Sequence, residues 1–175
     1  MDKINVFFDA QSIPAFRFRN IKVTSRIQVF EMALSEELNL SKIKLDLRRA
    51  LEPHKEVIVA YLYGSSVKGY AREDSDLDVG LLLEDCYKQE ALYPEALAKE
   101  IEKETGLKRV IDIRILNDRN PRFQYRVISE GELIISRDER KRAQFEAKAV
   151  SMYLDIKPFH EAYDMYRSTR LRNES

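Results

Sequence analysis

Apolar positions follow two rhythms along this chain. Between about Val57 and Ile135, short apolar runs alternate with stretches whose apolar residues recur every three or four positions. That alternation predicts strands interleaved with helices, an α/β arrangement. Val57-Ile58-Val59-Ala60-Tyr61-Leu62-Tyr63 is β-branched and aromatic and stops at Gly64, so it reads as a largely buried strand. A second strand is expected over 76–83. Pro94 in a first turn, Leu97 and Ile101 on one face and Gly106 as a left-handed cap predict a helix. Val110 to Leu116 reads as a third strand. Asn120 before Pro121 starts a short helix that Gly131 stops, and the apolar run Leu133-Ile134-Ile135 closes the core.

The flanks follow a different pattern. Downstream, Ser136 and Glu139 have capping-box spacing, and Phe145, Ala149, Met152 and Tyr153 recur at helical intervals, so the tail reads as helical. Upstream, 4–8 and 16–23 have strand character, 27–38 and 41–51 have helical character, and Pro53 ends the latter. Three regions result: a partly helical N-terminal extension over 1–52, a core over 53–136 and a helical segment over 137–175.

Composition narrows the function classes. The chain has 175 residues, 44% hydrophobic and 34% charged, with five Gly and five Pro, as a folded chain has and a low-complexity one does not. Thirty basic residues balance thirty acidic ones, so there is no global positive field of the kind that non-specific nucleic-acid binders use. The charges over 137–148 read as a solvated helix face. Phe159, Tyr163 and Tyr166 read as packing residues or a partner surface. A single cysteine, Cys86, excludes an intrachain disulfide framework, and His54 and His160 lie too far apart for a zinc motif. No apolar run approaches the roughly 18 residues of a membrane span, and 1–25 is broken by charges where a signal peptide needs an apolar centre. A cytoplasmic setting is the expectation.

The chemistry concentrates after the first core strand. Gly64-Ser65 ends that strand, and Asp76-Leu77-Asp78 leads into the next. Residues two apart in a strand project from one face, so Asp76 and Asp78 are expected to aim at a common point. Paired carboxylates suit Mg²⁺, which takes oxygen ligands and keeps positions for water and substrate phosphates. Asp112 interrupts the apolar run Val110-Ile111-Asp112-Ile113, and a carboxylate there needs a cation or donor beside it. It is the expected third ligand, or the base that takes a hydroxyl proton. Gly64 leaves backbone N–H groups open to phosphate oxygens, the Ser65 hydroxyl adds a donor, and Lys68 and Arg72 are candidate charge partners for the phosphates.

The run Gly64-Ser65-Ser66-Val67-Lys68-Gly69-Tyr70-Ala71-Arg72-Glu73-Asp74-Ser75-Asp76-Leu77-Asp78-Val79-Gly80-Leu81 resembles the signature of the minimal nucleotidyltransferase (MNT) domains of the DNA polymerase beta superfamily. Lys68 stands where many members carry Arg. The resemblance implies a small mixed β-sheet backed by helices. It makes Asp76, Asp78 and Asp112 the carboxylates for two Mg²⁺ ions, and it gives Gly64 and Ser65 to the triphosphate of ATP. Many stand-alone members are paired with a helical HEPN-domain toxin, and similar ones are antitoxins that transfer AMP to a tyrosine of that partner. The expected function is therefore AMP transfer to a hydroxyl of a HEPN-like protein. The alternatives are transfer to a small molecule such as an aminoglycoside, or a non-catalytic protein that sequesters a toxin. The first forty-odd residues lie outside the resemblance.

Overall fold

The computed structural model describes residues 26–67, 75–87 and 90–173. The strand readings at 4–8 and 16–23, and the candidate phosphate ligands Lys68 and Arg72, lie outside the described residues. The chain divides into two compact units, residues 1–35 and 36–175. The described part of the first is only the start of α1 (Arg26–Leu51), a single helix through both stretches that read as helical.

The second unit is a four-stranded mixed sheet with helices on both faces. β1 (Val57–Tyr63), β2 (Leu77–Leu83), α2 (Tyr93–Thr105), β3 (Ile111–Ile115), α3 (Pro121–Glu130), β4 (Glu132–Ser136) and α4 (Glu139–Asn173) follow in order. The strand order is β3-β2-β1-β4. β1 pairs antiparallel with β2 and β4, whereas β2 and β3 run parallel, joined by the crossover through α2. A parallel pair requires such a crossover, because no tight turn returns a strand to the same direction.

Each face of the sheet has its own apolar cluster. Leu77, Val79 and Leu81 of β2 and Ile111, Ile113 and Ile115 of β3 point to the side where Ile43, Leu47 and Leu51 of α1 and Leu97 and Ile101 of α2 pack. The alternate residues point the other way. There Val59, Tyr61 and Tyr63 meet Val127, with Phe123 of α3 and Phe145 of α4 against them. All seven residues of β1 are buried, as expected of a strand covered on both faces. Gly80 lets α3 approach closely, because a Cβ there would sit 3.1 Å from Val127 Cγ1 and 3.3 Å from Leu116 Cδ1.

The helix signals fall where the sequence has them, with one correction. Gly106 caps α2 in the left-handed region at φ 64°. The Asn120 side chain accepts from Arg122 N at 2.8 Å at the start of α3. For α4, Ser136 is the last residue of β4, and Asp138 provides the cap instead. Its carboxylate accepts from Arg140 N at 2.9 Å and Lys141 N at 3.0 Å. The first basic residue after β4 is not part of a solvated face. Arg137 donates to Val57 O (3.0 Å), Leu51 O (2.9 Å) and Glu52 O (3.0 Å), binding the end of β4 to the α1–β1 turn. Further along α4, Lys141 pairs with Glu84 and Arg142 with Glu139 and Glu146.

Candidate active site

Three backbone features bring the candidate carboxylates together. β2 begins directly after Asp76, placing Asp78 as its second residue. The parallel register sets Asp78 opposite Asp112, and the antiparallel register sets Tyr63 opposite Asp78. Directly paired residues project from the same face of a sheet. Asp78 and Asp112 therefore share the α3/α4 face, beside the end of β1.

The turn after β1 is shaped around Asp78. Gly64 opens a single 3-10 turn (Gly64–Ser66) at φ 80°, a conformation that side chains disfavour. A Cβ on Gly64 would stand 2.1 Å from Asp78 Oδ2, so the carboxylate lies against the glycine backbone. Glycine here is required twice, by the dihedral and by the neighbour. The Gly-Ser signal and the aspartate pair are thus one contiguous site.

The electrostatics are those of crowded negative charge. Partial burial, then Asp112, then Asp76 push the Asp78 carboxyl above its ordinary range, opposed by Arg114 and Arg126. The same surroundings, burial first and then Asp78 and Asp112, push the Tyr63 phenol up to about 12. Asp112 has found a cation within the chain. Arg114, two residues along β3 and on the same face, donates Nε at 3.0 Å and Nη2 at 2.8 Å to Asp112 Oδ2, and Nε at 3.1 Å to Oδ1. Among the described residues no three acidic, histidine or cysteine side chains stand ready as a formed ion cage. The donor types nonetheless fit a hard divalent cation. The residues are carboxylates at one register level, and their mutual repulsion has been relieved by a guanidinium at one of them.

Besides Arg114, two further arginines missed by the sequence reading belong to the surroundings. Arg126 of α3 lies 5.2 Å from the centroid of Phe123, whose ring meets Tyr63 edge-on at 5.7 Å. Its charge acts on Asp78 and Tyr63. Arg109, before β3, reaches back to Ser66 and to the backbone of Ser75 and Asp76. Neither residue sits in the Gly-Ser or DxD motif, so only their sequence proximity to the third carboxylate and to α3 pointed towards them. Ser65 lies in the 3-10 turn, half-buried, with Ser66 beside it.

Known proteins resemble this arrangement. The family model described as polymerase beta, nucleotidyltransferase matches residues 46–140, which include Gly64, Asp76, Asp78 and Asp112. Among solved structures, a chain of a toxin–antitoxin complex with AMP-PNP superposes with a TM-score of 0.57 at 20% identity, covering 74% of this chain and 98% of that one. A chain of the complex of tri-AMPylated Shewanella oneidensis HEPN toxin with MNT antitoxin gives 0.54 at 20% identity, with 76% and 98% covered. A chain of a mutant MntA–HpeT toxin–antitoxin complex gives 0.61 at 16% identity, with 71% and 98% covered. At these identities the likeness is one of fold. No curated protein sequence matches the chain. Among the described residues, no helix is long and apolar enough to cross a membrane.

Proposed function

The chain belongs to the polymerase beta nucleotidyltransferase family, and from that premise we propose that it transfers AMP from ATP to a hydroxyl of a HEPN-like partner protein, as an antitoxin of a toxin–antitoxin pair. The observation that carries the reading is the in-register pairing of Asp78 with Asp112 beside Gly64, whose missing side chain leaves room for the Asp78 carboxylate. Asp76, Asp78 and Asp112 would hold Mg²⁺, which when bound supplies charge neutralisation for the triphosphate and its leaving group. A cation held by Asp112 would compete with Arg114 for the same two oxygens.

The chain's own groups then have distinct tasks. The backbone N–H groups of the Gly64–Ser66 turn and the Ser65 hydroxyl receive phosphate oxygens, with Lys68 and Arg72 as further charge partners. Asp112 accepts the proton of the attacking hydroxyl. The hydroxyl oxygen forms a bond to the α-phosphorus, the bond from the α-phosphorus to the bridging oxygen breaks, and pyrophosphate leaves. Arg126 stands on the same face to offset the charge that develops there.

A protein acceptor is supported by the distal part of α4. Phe159, Tyr163 and Tyr166 are 76%, 63% and 68% exposed, an aromatic surface that the sheet does not use. The complexes named above, one with AMP-PNP and one with an AMPylated HEPN toxin, support the choice of nucleotide and of acceptor.

Incubating the purified chain with Mg²⁺ and α-labelled ATP, with and without a HEPN-like partner, tests the proposal. Label on the partner is expected. Label on an aminoglycoside instead would redirect the assignment to a small acceptor, and tight complex formation without label would reduce the chain to a sequestering protein. Asp78→Asn is expected to lower the transfer rate at least a hundredfold while raising the thermal midpoint of the metal-free chain at neutral pH. The rise follows because a carboxyl held above its ordinary range is destabilising where it must ionise. Undiminished transfer in that variant would end the carboxylate assignment.

A further inference from the structure

We infer that Arg109 is a positioning residue that locks the phosphate-binding turn to the start of the carboxylate strand, and so sets the affinity for the nucleoside triphosphate. This rests on the transfer reading above and adds a residue that neither motif contains.

The geometry is a three-point clamp. Arg109 Nε donates to Ser75 O at 2.5 Å, and Nη2 donates to Ser66 Oγ at 2.7 Å and to Asp76 O at 3.3 Å. The Ser66 hydroxyl in turn donates to Asp76 O at 3.4 Å, which closes the ring between the two segments. The backbone continues the seam, with Leu77 N donating to Val110 O at 2.8 Å. A guanidinium carries its donors in a rigid plane, so one side chain can fix the relative positions of several acceptors. The acceptors here belong to the two chain ends that flank residues 68–74: the turn Gly64–Ser66 on one side, Ser75 and Asp76 on the other.

Two consequences follow from the partners' chemistry. All three hydrogen-bond acceptors among the described residues are uncharged, two carbonyls and a hydroxyl, and the carboxylate of Asp76 acts on the guanidinium only through space. Its positive charge therefore stands next to the turn where triphosphate oxygens are expected. Moreover, this side chain adds a tie between that turn and Asp76 beyond the Tyr63–Asp78 strand pairing, because Ser66 by itself reaches the other segment only through a long hydrogen bond. Without the clamp, the Ser66 end of the turn is held to Asp76 only by that long hydrogen bond and by the strands behind it, and a nucleotide must order more of the site on binding.

The test measures MgATP affinity of the full chain by calorimetry and KM and kcat for transfer, in the wild type and in Arg109→Ala, Arg109→Lys, Ser66→Ala and the Arg109→Ala/Ser66→Ala double variant. Arg109→Ala is expected to weaken MgATP binding and raise KM about tenfold, with kcat changed much less. Arg109→Lys, which keeps the charge and loses the fork, should recover only part of the affinity. Because both side chains act through one clamp, the double variant should bind no worse than Arg109→Ala alone. Wild-type affinity in Arg109→Ala, or additive losses in the double variant, would overturn the inference. Should Arg109→Ala fail to fold, the lysine and serine variants decide it: unchanged affinity in both counts against the clamp. A wild-type chain that binds MgATP but labels no acceptor would sink the transfer reading, and the clamp would still stand or fall on affinity alone.

Discussion

At the scale of the residue, Gly64 and Asp78 are a matched pair. Any side chain at Gly64 must adopt φ 80° and share space with Asp78 Oδ2. Gly64→Ala is expected to cost about 1–2 kcal/mol for the left-handed backbone alone. It should also lower transfer far more than its stability loss explains, since the added methyl displaces a carboxylate rather than a solvent-facing atom. A denaturation curve and an initial-rate measurement on the same preparation separate the two effects; equal rates in variant and wild type would contradict the close approach. The sequence made Gly64, Asp78 and Asp112 legible because each breaks a local rule: a glycine ends an apolar strand, and aspartates stand where apolar residues are expected. Arg109, Arg114 and Arg126 break no such rule. Arginines are common on surfaces, and only the fold brings Arg114 and Arg126 beside the paired aspartates and Arg109 against the Gly64–Ser66 turn, so they could not be picked out from spacing.

Among the elements, β1, β2 and β3 were readable to within a residue or so because β1 is an unbroken apolar run and β2 and β3 keep their core-facing positions apolar around Asp78, Asp112 and Arg114. The helices α2 and α3 were readable from their caps. The start of α4 was less so, since Ser136 and Asp138 both look like caps and only the extent of β4 decides between them. The close packing of α3 on the sheet at Gly80 had no sequence signal at all. Gly80→Val is expected to destabilise by about 1–3 kcal/mol, because its methyl groups would overlap Val127 and Leu116 and push α3 outward. As α3 carries Arg126 and Phe123, the same variant should also lower transfer. Chemical denaturation checks the first effect. A wild-type midpoint would mean that α3 has room to spare.

For the whole molecule, the buried Tyr61 and Tyr63 and the half-buried Tyr93 couple stability to alkaline pH. Burial pushes up the phenol of Tyr63, to about 12, and those of Tyr61 and Tyr93, with Asp78, Glu146 and Glu56 adding to the effect in turn. Unfolded, each ionises near the ordinary 10.0, so the unfolded chain releases protons first. Stability is therefore full below about pH 10 and declines as pH rises from there, the Tyr63 share being lost by about pH 12. Thermal midpoints across that range should fall, and less steeply in Tyr63→Phe; an unaltered slope would show that Tyr63 titrates normally. The exposed aromatic residues of α4 are where assembly is expected. The triple alanine variant of Phe159, Tyr163 and Tyr166 should lose co-purification with a HEPN-like partner, yet keep MgATP affinity within about twofold. Retained co-purification would place the partner elsewhere. The character of these residues, packing or surface, was not decidable from helical spacing, since apolar residues at those intervals serve either role.

The parallel pairing of β2 with β3 has a consequence for how the chain comes to life during synthesis. Asp78 emerges well before Asp112, and the two meet only after α2 has carried the chain across the sheet and laid β3 down in the same direction. Distant pairings of this kind form late, because the intervening chain must be closed into a loop first. A polypeptide stalled midway thus carries Asp78 without its partner, and on the proposed transfer reading activity switches on only once β3 is in place.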